Sequence, residues 1–185
     1  LSGQDIKLIV HIPESSMPDP LVPKKLIRGI SERVDCFGEV VVELNEDQAR
    51  EAIISLRDAG CESLAICFLW SFLRPAHELR VKEIAQEIAP DMYVTCSTEL
   101  APKWGEYERT TAVALNAYVG PTTVGYITRL DGQLTEMGYK PPLQITQCAG
   151  GTISVSTAQQ APLLTLDSGP VSGVTGSVYL GELMG

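Results

Sequence analysis

Along the 185-residue chain, hydrophobic positions switch between a period of two and a period near 3.6, and the switches divide it into elements. Residues 5–11 alternate, with Ile6, Leu8 and Val10 on one face, which predicts a half-buried strand. A proline-rich connection follows through Pro13, Pro18, Pro20 and Pro23. Residues 32–44 read as a β-hairpin turning near Phe37-Gly38, with Val40, Val42 and Leu44 alternating in its second arm. Asn45 is placed to cap a helix, and Gln48 three residues on completes the pattern of a capping box. The apolar stripe of that helix is Ala49, Ala52, Ile53 and Leu56, and Gly60 supplies its left-handed stop. Residues 63–69 are apolar without alternation, as in a strand covered on both faces. Residues 76–89 return to helical spacing, with Val81, Ile84, Ala85 and Ile88 inward and Pro90 ending the run, and residues 92–96 form another short strand.

The order β-α-β-α-β predicts an α/β fold, a layered mixed sheet that is partly parallel and flanked by helices. Two helices are expected next, over 104–119 and 121–137, joined at Gly120-Pro121. The second carries Ile127, Leu130, Leu134 and Met137 on one face and closes at Gly138. Residues 143–147 read as a strand running into Cys148-Ala149-Gly150-Gly151. A short helix near 156–160 and an extended run at 163–166 lead to Ser168-Gly169-Pro170, then to a helix over 171–183. That last helix contains Gly173, Gly176 and Gly181, each costing about 1 kcal/mol relative to Ala, which points to close approach of another backbone.

Charge narrows the partners. Fourteen Lys and Arg against 23 Asp and Glu give −9, a field that repels nucleic-acid phosphates and anionic lipid headgroups. No apolar run approaches the roughly 20 residues that cross a bilayer. The first residues lack the basic start and apolar middle of a signal peptide, and a chain without an initiator Met is expected to begin inside a longer protein. Five cysteines (Cys36, Cys61, Cys67, Cys96 and Cys148) form no C-x-x-C pair and read as reduced structural thiols of a cytoplasmic protein.

Candidate chemistry concentrates in the C-terminal third. Two glycine-rich turns fall about twenty residues apart, and glycine backbones and helix-start N–H groups are suited to phosphate. Gly150, Gly151, Ser168, Gly169 and Pro170 are the cofactor-binding candidates, although neither turn matches a dinucleotide or P-loop pattern. Glu106 and Arg109 are the catalytic candidates, an acid–base group and an anion clamp; the competing reading of Glu106 is a surface carboxylate complementing a helix dipole. His77 and His11 have no second ligand at metal spacing, so no metal ligand is assigned. Trp70 and Trp104 read as packing aromatics.

With these residues in view, the sequence resembles the hydantoinase/oxoprolinase family, which includes N-methylhydantoinase A, 5-oxoprolinase and ketone carboxylase subunits. The resemblance is carried by Leu21-Val-Pro-Lys-Lys25, Glu32-Arg-Val-Asp-Cys-Phe-Gly-Glu-Val40, Ala65-Ile-Cys-Phe-Leu69 and Pro75-Ala-His-Glu78. It continues through Tyr107-Glu-Arg-Thr110, Asn116-Ala-Tyr-Val-Gly-Pro121, Gln147-Cys-Ala-Gly-Gly151 and Ser168-Gly-Pro-Val-Ser-Gly-Val174, all in the family's order. Where the family reads Gln-Ser-Asn-Gly-Gly, this chain has Cys148 and Ala149, which removes a hydroxyl and an amide.

The resemblance implies part of an actin-like (ribonuclease H-like) ATPase lobe. Residues 1–119 would be the later part of the N-terminal domain, and 120–185 the start of the main domain with its crossing helix. It implies ATP and Mg as cofactors of a full-length enzyme that opens hydantoin or 5-oxoproline by phosphorylating a carbonyl, with a second subunit as partner. Both acidic phosphate loops of the family fall outside this stretch, so the chain by itself is expected to be inactive. The rivals are an ATP-dependent ketone carboxylase subunit and a non-catalytic lobe that docks a second subunit.

Overall fold

A computed structural model describes residues 19–185, so the strand expected at 5–11 lies outside the described residues. After a turn of 3-10 helix at Lys24–Leu26, strands β1 (Arg33–Val34) and β2 (Val40–Val42) form the expected hairpin. Asp35 shapes its turn: Oδ1 accepts from the N–H groups of Phe37 and Glu39, while Gly38 sits at φ 82°.

Helix α1 (Glu46–Asp58) starts as the sequence requires, with Asn45 Oδ1 accepting from Gln48 N at 3.0 Å. The reciprocal half of the box differs. Asn45 N donates to Ser31 O, and Gln48 Oε1 accepts instead from Ser31 N, so the pair anchors the incoming chain. Gly60 ends the helix at φ 83°. Strand β3 (Ser63–Ile66), helix α2 (Ala76–Ile88) and strand β4 (Tyr93–Cys96) form a βαβ unit, with β3 parallel to β4 in the register Ser63↔Tyr93 to Ile66↔Cys96.

Side-chain alternation along these two strands places the layers. Leu64, Ile66, Val94 and Cys96 point toward α1 and α2, joining Ala49, Ile53, Val81, Ile84 and Ala85 in the core. Tyr93 and Thr95 point the other way, where Asn116 of helix α4 (Glu106–Glu136) bonds both. The parallel pair therefore carries helices on both faces, as parallel strands require. A single layered mixed sheet, however, is not present among the described residues: they hold three two-stranded sheets, one parallel and two antiparallel.

The expected break at Gly120-Pro121 is also absent. α4 runs unbroken for 31 residues after the four-residue α3 (Ser97–Leu100). A proline inside a helix removes one backbone donor and usually kinks or ends it. Here tertiary contact holds the helix together: Gly120 lies against the Tyr93 ring so closely that any Cβ would collide with it. Beyond that point Ile127 is buried and Leu130 and Leu134 are half-buried, but Met137 is 83% exposed and leaves the expected stripe.

Strand β5 (Gln144–Thr146) is followed by β6 (Thr152–Ser154), an antiparallel partner whose three residues were too short to show alternation. Ser154 caps α5 (Val155–Gln160), accepting from Thr157 N at 3.1 Å. The run expected to be extended at 163–166 is instead 3-10 helix over Pro162–Thr165, because Pro162 presets φ and Asn116 Oδ1 accepts from Leu163 N at 2.9 Å. Helix α6 (Ser168–Met184) closes the chain and buries none of its residues.

Candidate functional site

The two glycine-rich turns meet. Gly150 and Gly151 occupy positive φ (85° and 74°), conformations that L-residues with a Cβ rarely adopt, and they close the β5–β6 hairpin. Gln147 N donates to Gly151 O at 3.2 Å, and its side-chain amide donates to Gly150 O at 3.0 Å. Cys148 N donates to Leu164 O at 2.7 Å, which ties the turn to the segment entering α6. A Cβ on Gly150 would lie 4.0 Å from Val171 Cγ1, so the turn rests against the first turn of that helix. Asp167 precedes the helix in left-handed conformation at φ 55°. Ser168 is half-buried there, while Gly169 and Pro170 are exposed. The Gly150-Gly151 turn thus lies beside the start of α6, which carries Ser168, Gly169 and Pro170, and the Cys148 thiol is exposed.

Glu106 and Arg109 share one turn of α4 but not one environment. Glu106 is exposed in the first turn. Arg109 is 1% exposed and reaches beneath the C-terminal ends of β3 and β4. Its Nη1 donates to Ser71 Oγ and, at 2.9 Å, to Ser97 Oγ; its Nη2 donates to Phe68 O at 2.8 Å. The guanidinium also lies 5.4 Å from the centroid of the Phe72 ring.

Glu78, fully buried in the first turn of α2, is linked to that guanidinium through Ser97 Oγ, which accepts from Arg109 Nη1. Its Oε1 accepts from Phe68 N and from Ser97 Oγ, both at 2.7 Å, and its Oε2 accepts from Thr98 N at 2.9 Å. The peptide groups of Phe68 are therefore held from both ends, by a carboxylate on its N–H side and a guanidinium at its C=O. This clamp fixes the loop after β3, where Trp70 adopts φ 57°, a costly conformation for a bulky side chain. Trp70 packs edge-on against Trp104 at 4.9 Å between centroids, the packing role expected of both rings, although Trp104 itself is 74% exposed.

Sequence reading missed Glu78, Ser71, Ser97 and Asn116 as structural centres. The signal was present for two of them. Extending the α2 stripe of Val81, Ile84 and Ala85 backward by helical steps lands on His77 and Glu78, and both are buried. Likewise Arg109, Val113, Asn116, Ala117 and Gly120 form one inward stripe of α4. His77 Nδ1 lies 2.9 Å from Glu32 Oε2, a structural tie between α2 and the β1–β2 hairpin.

Desolvation pushes the Cys96 thiol well above its ordinary range, helped by the carboxylates of Glu99 and Glu78, and desolvation raises the Tyr93 phenol against the lowering effect of its bond from Asn116. Among the described residues no three His, Cys, Asp or Glu side chains are gathered as a metal site, and no helix is long and apolar enough to cross a membrane.

Residues 4–89 match the hydantoinase/oxoprolinase N-terminal region and residues 109–185 match hydantoinase/oxoprolinase; the chain belongs to the hydantoinase/oxoprolinase family. It is 32% identical to the acetophenone carboxylase gamma subunit of Aromatoleum aromaticum, over 99% of this chain and 25% of that subunit. The nucleotide-free structure of acetone carboxylase, from work on ATP-dependent acetone carboxylation, superposes with a TM-score of 0.85 at 32% identity, over 98% of this chain and 26% of that one. The ATP-dependent caprolactamase of Pseudomonas jessenii superposes with a TM-score of 0.83 at 27% identity, over all of this chain and 28% of that one. The chain thus spans about a quarter of the length of the relatives it matches.

Proposed function

We propose that these residues serve an ATP-dependent enzyme that opens a cyclic amide, hydantoin or 5-oxoproline, by phosphorylating its carbonyl oxygen. An amide carbonyl is a poor electrophile; a phosphorylated oxygen is a leaving group and leaves the carbon open to water. Phosphoryl transfer depends on positioning and on compensating charge more than on covalent help from the protein. The observation that supports the reading is the packing of the Gly150-Gly151 turn against the start of α6, which carries Ser168, Gly169 and Pro170, in a chain similar to an ATP-dependent caprolactamase. Those residues form a backbone wall for nucleotide phosphates. Glu106 is the exposed acid–base candidate, and Arg109 acts from below by holding the loop after β3. The Mg that accompanies ATP takes no ligand assigned to this chain.

In the same reading the fold is part of an actin-like lobe in the cytoplasm. Residues 1–119 belong to the later N-terminal domain, residues 120–185 open the main domain, and α4 crosses the boundary. The intact enzyme works with a second subunit. The isolated chain binds no nucleotide productively, and metal-dependent ATP turnover by the purified 185 residues would overturn that assignment.

The wall is tested at Gly169, where an added Cβ meets nothing within 4 Å, so a larger side chain is tolerated sterically. Gly169→Val in the full-length protein weakens ATP binding tenfold or more by titration calorimetry; unchanged affinity refutes the wall. A carboxylase subunit is the second reading, favoured by the likeness to acetophenone and acetone carboxylases. ATP turnover stimulated by cyclic amides but not by ketones with bicarbonate decides for the first reading, and the reverse for the second.

A further inference from the structure

Asn116 has no exposed surface, and its carboxamide joins three elements across the inner face of α4. Its Nδ2 donates to Thr95 Oγ1 at 3.0 Å and Tyr93 Oη at 3.1 Å, both on β4, and to Gln160 O at 3.3 Å, the last residue of α5. Its Oδ1 accepts from Leu163 N at 2.9 Å, in the 3-10 turn. A carboxamide offers two donor hydrogens and one acceptor oxygen, and all of them are engaged here. A buried polar network satisfied in this way holds its members rigidly.

The peptide held at Leu163 leads directly to both glycine-rich turns. The carbonyl of the next residue, Leu164, accepts from Cys148 N at 2.7 Å, where the Cys148-Ala-Gly-Gly151 turn begins. In the other direction the same short segment runs through Asp167 into the start of α6 at Ser168. One turn is therefore tied to this segment by a hydrogen bond and the other by the chain itself. α5 has a separate tie to α4, because Gln159 Nε2 donates to Thr128 Oγ1 at 2.9 Å. What Asn116 adds beyond seating α5 is its grip on the Leu163 N–H.

We propose that Asn116 is a positioning residue for nucleotide phosphates: by pinning Leu163 against β4 it sets the spacing between the Gly150-Gly151 turn and the start of α6. This rests on the reading of those two turns as a phosphate wall. Asn116 acts through Leu163 and Leu164 and itself touches no phosphate. The residue type follows from the partners. Two hydroxyls and a carbonyl face its nitrogen, while a peptide N–H faces its oxygen. A carboxylate would present no hydrogen to Gln160 O, and an apolar side chain would leave the Leu163 N–H buried without an acceptor.

The test uses the full-length protein, with ATP affinity read by calorimetry, stability by urea, and backbone order by amide exchange. Thr95→Val removes one partner of Asn116 but keeps the bond to Leu163 N, whereas Asn116→Leu removes both. Asn116→Leu should weaken ATP binding about tenfold while Thr95→Val stays within about twofold, although both lose a buried hydrogen bond. The Cys148 amide should exchange faster in Asn116→Leu alone. Asn116→Asp keeps the oxygen facing Leu163 N, so it should bind ATP better than Asn116→Leu while being less stable, because it buries a charge. A merely structural residue would give affinities that follow stability, and that ordering would overturn the proposal. Unchanged Cys148 exchange in Asn116→Leu would overturn it as well. If Asn116→Leu misfolds, Asn116→Asp still decides: the proposal requires it to bind ATP as Thr95→Val does, and weaker binding in step with its lower stability sinks the idea. Gly169→Val separates the two readings. Weakened binding there with native affinity in Asn116→Leu removes the positioning role alone, whereas native affinity in both removes the wall and the positioning role together.

Discussion

Glu78 is the residue on which most of the local order converges. A carboxylate removed from water is tolerated only with its charge matched and its lone pairs filled, and Glu78 meets both conditions through Phe68, Ser97, Thr98 and the nearby guanidinium of Arg109. Glu78→Gln keeps the shape, strips the charge, and leaves Arg109 uncompensated. Weakening the hydrogen bonds of a buried charged group costs about 1–3 kcal/mol, so the urea midpoint should fall by that equivalent. A loss under 1 kcal/mol would show that the clamp is ornamental. The double variant Glu78→Gln with Arg109→Met should lose less than the sum of the two, since each single change already strands the other charge.

Cys96 gives a second prediction at this scale. Burial raises its folded pKa above the unfolded value of about 8.5, so the folded state holds its proton more tightly. Its contribution to stability is complete below that unfolded value and is lost as pH climbs toward the elevated folded one. Tyr93, shifted in the same direction, adds to the loss at higher pH still. Stability should fall from pH 8 to pH 10, less steeply in Cys96→Ala; an identical slope in both proteins would remove Cys96 as the cause. At pH 8 a thiol reagent should label exposed Cys36 and Cys148 within minutes and Cys96 only on unfolding.

Among the elements, α4 teaches the most. Its sequence reads as two helices because Gly120-Pro121 carries the two strongest helix breakers side by side. The structure keeps one helix because Gly120 is where the backbone crosses the Tyr93 ring. Gly120→Ala would raise intrinsic helix propensity by about 1 kcal/mol, yet overpacking against a held ring costs about 1–3 kcal/mol, and here the second effect should win. The Tyr93 hydroxyl donates to the carbonyl of Gln160 at 3.0 Å and accepts from Asn116, so the ring cannot swing clear without breaking those bonds. A melting temperature unchanged or raised in Gly120→Ala would reverse that ranking.

For the molecule as a whole, what was legible depended on whether the signal was local. The hairpin turn, the Asn45 cap, the Gly60 stop, the βαβ unit and the helical character of the C-terminal segment were readable from spacing and turn chemistry, as was the glycine-rich pair of turns. The 3-10 turn at Pro162–Thr165 and the continuity of α4 were not, because each exists through a partner distant in sequence, and β6 is too short to show alternation. The same division separates Glu106, an exposed carboxylate as its helix position suggests, from Arg109, whose burial depends on Ser71, Ser97 and Phe68.

Collinear motifs were enough to assign the family, and periodicities that need no partner were enough to set the alternation of strand and helix. Long-range contacts alone made a buried carboxylate and guanidinium grip one peptide, and carried α4 unbroken through Gly120-Pro121. The reason is physical: a periodicity records which face a residue turns inward, whereas its partner there is set by long-range contacts that no local pattern encodes.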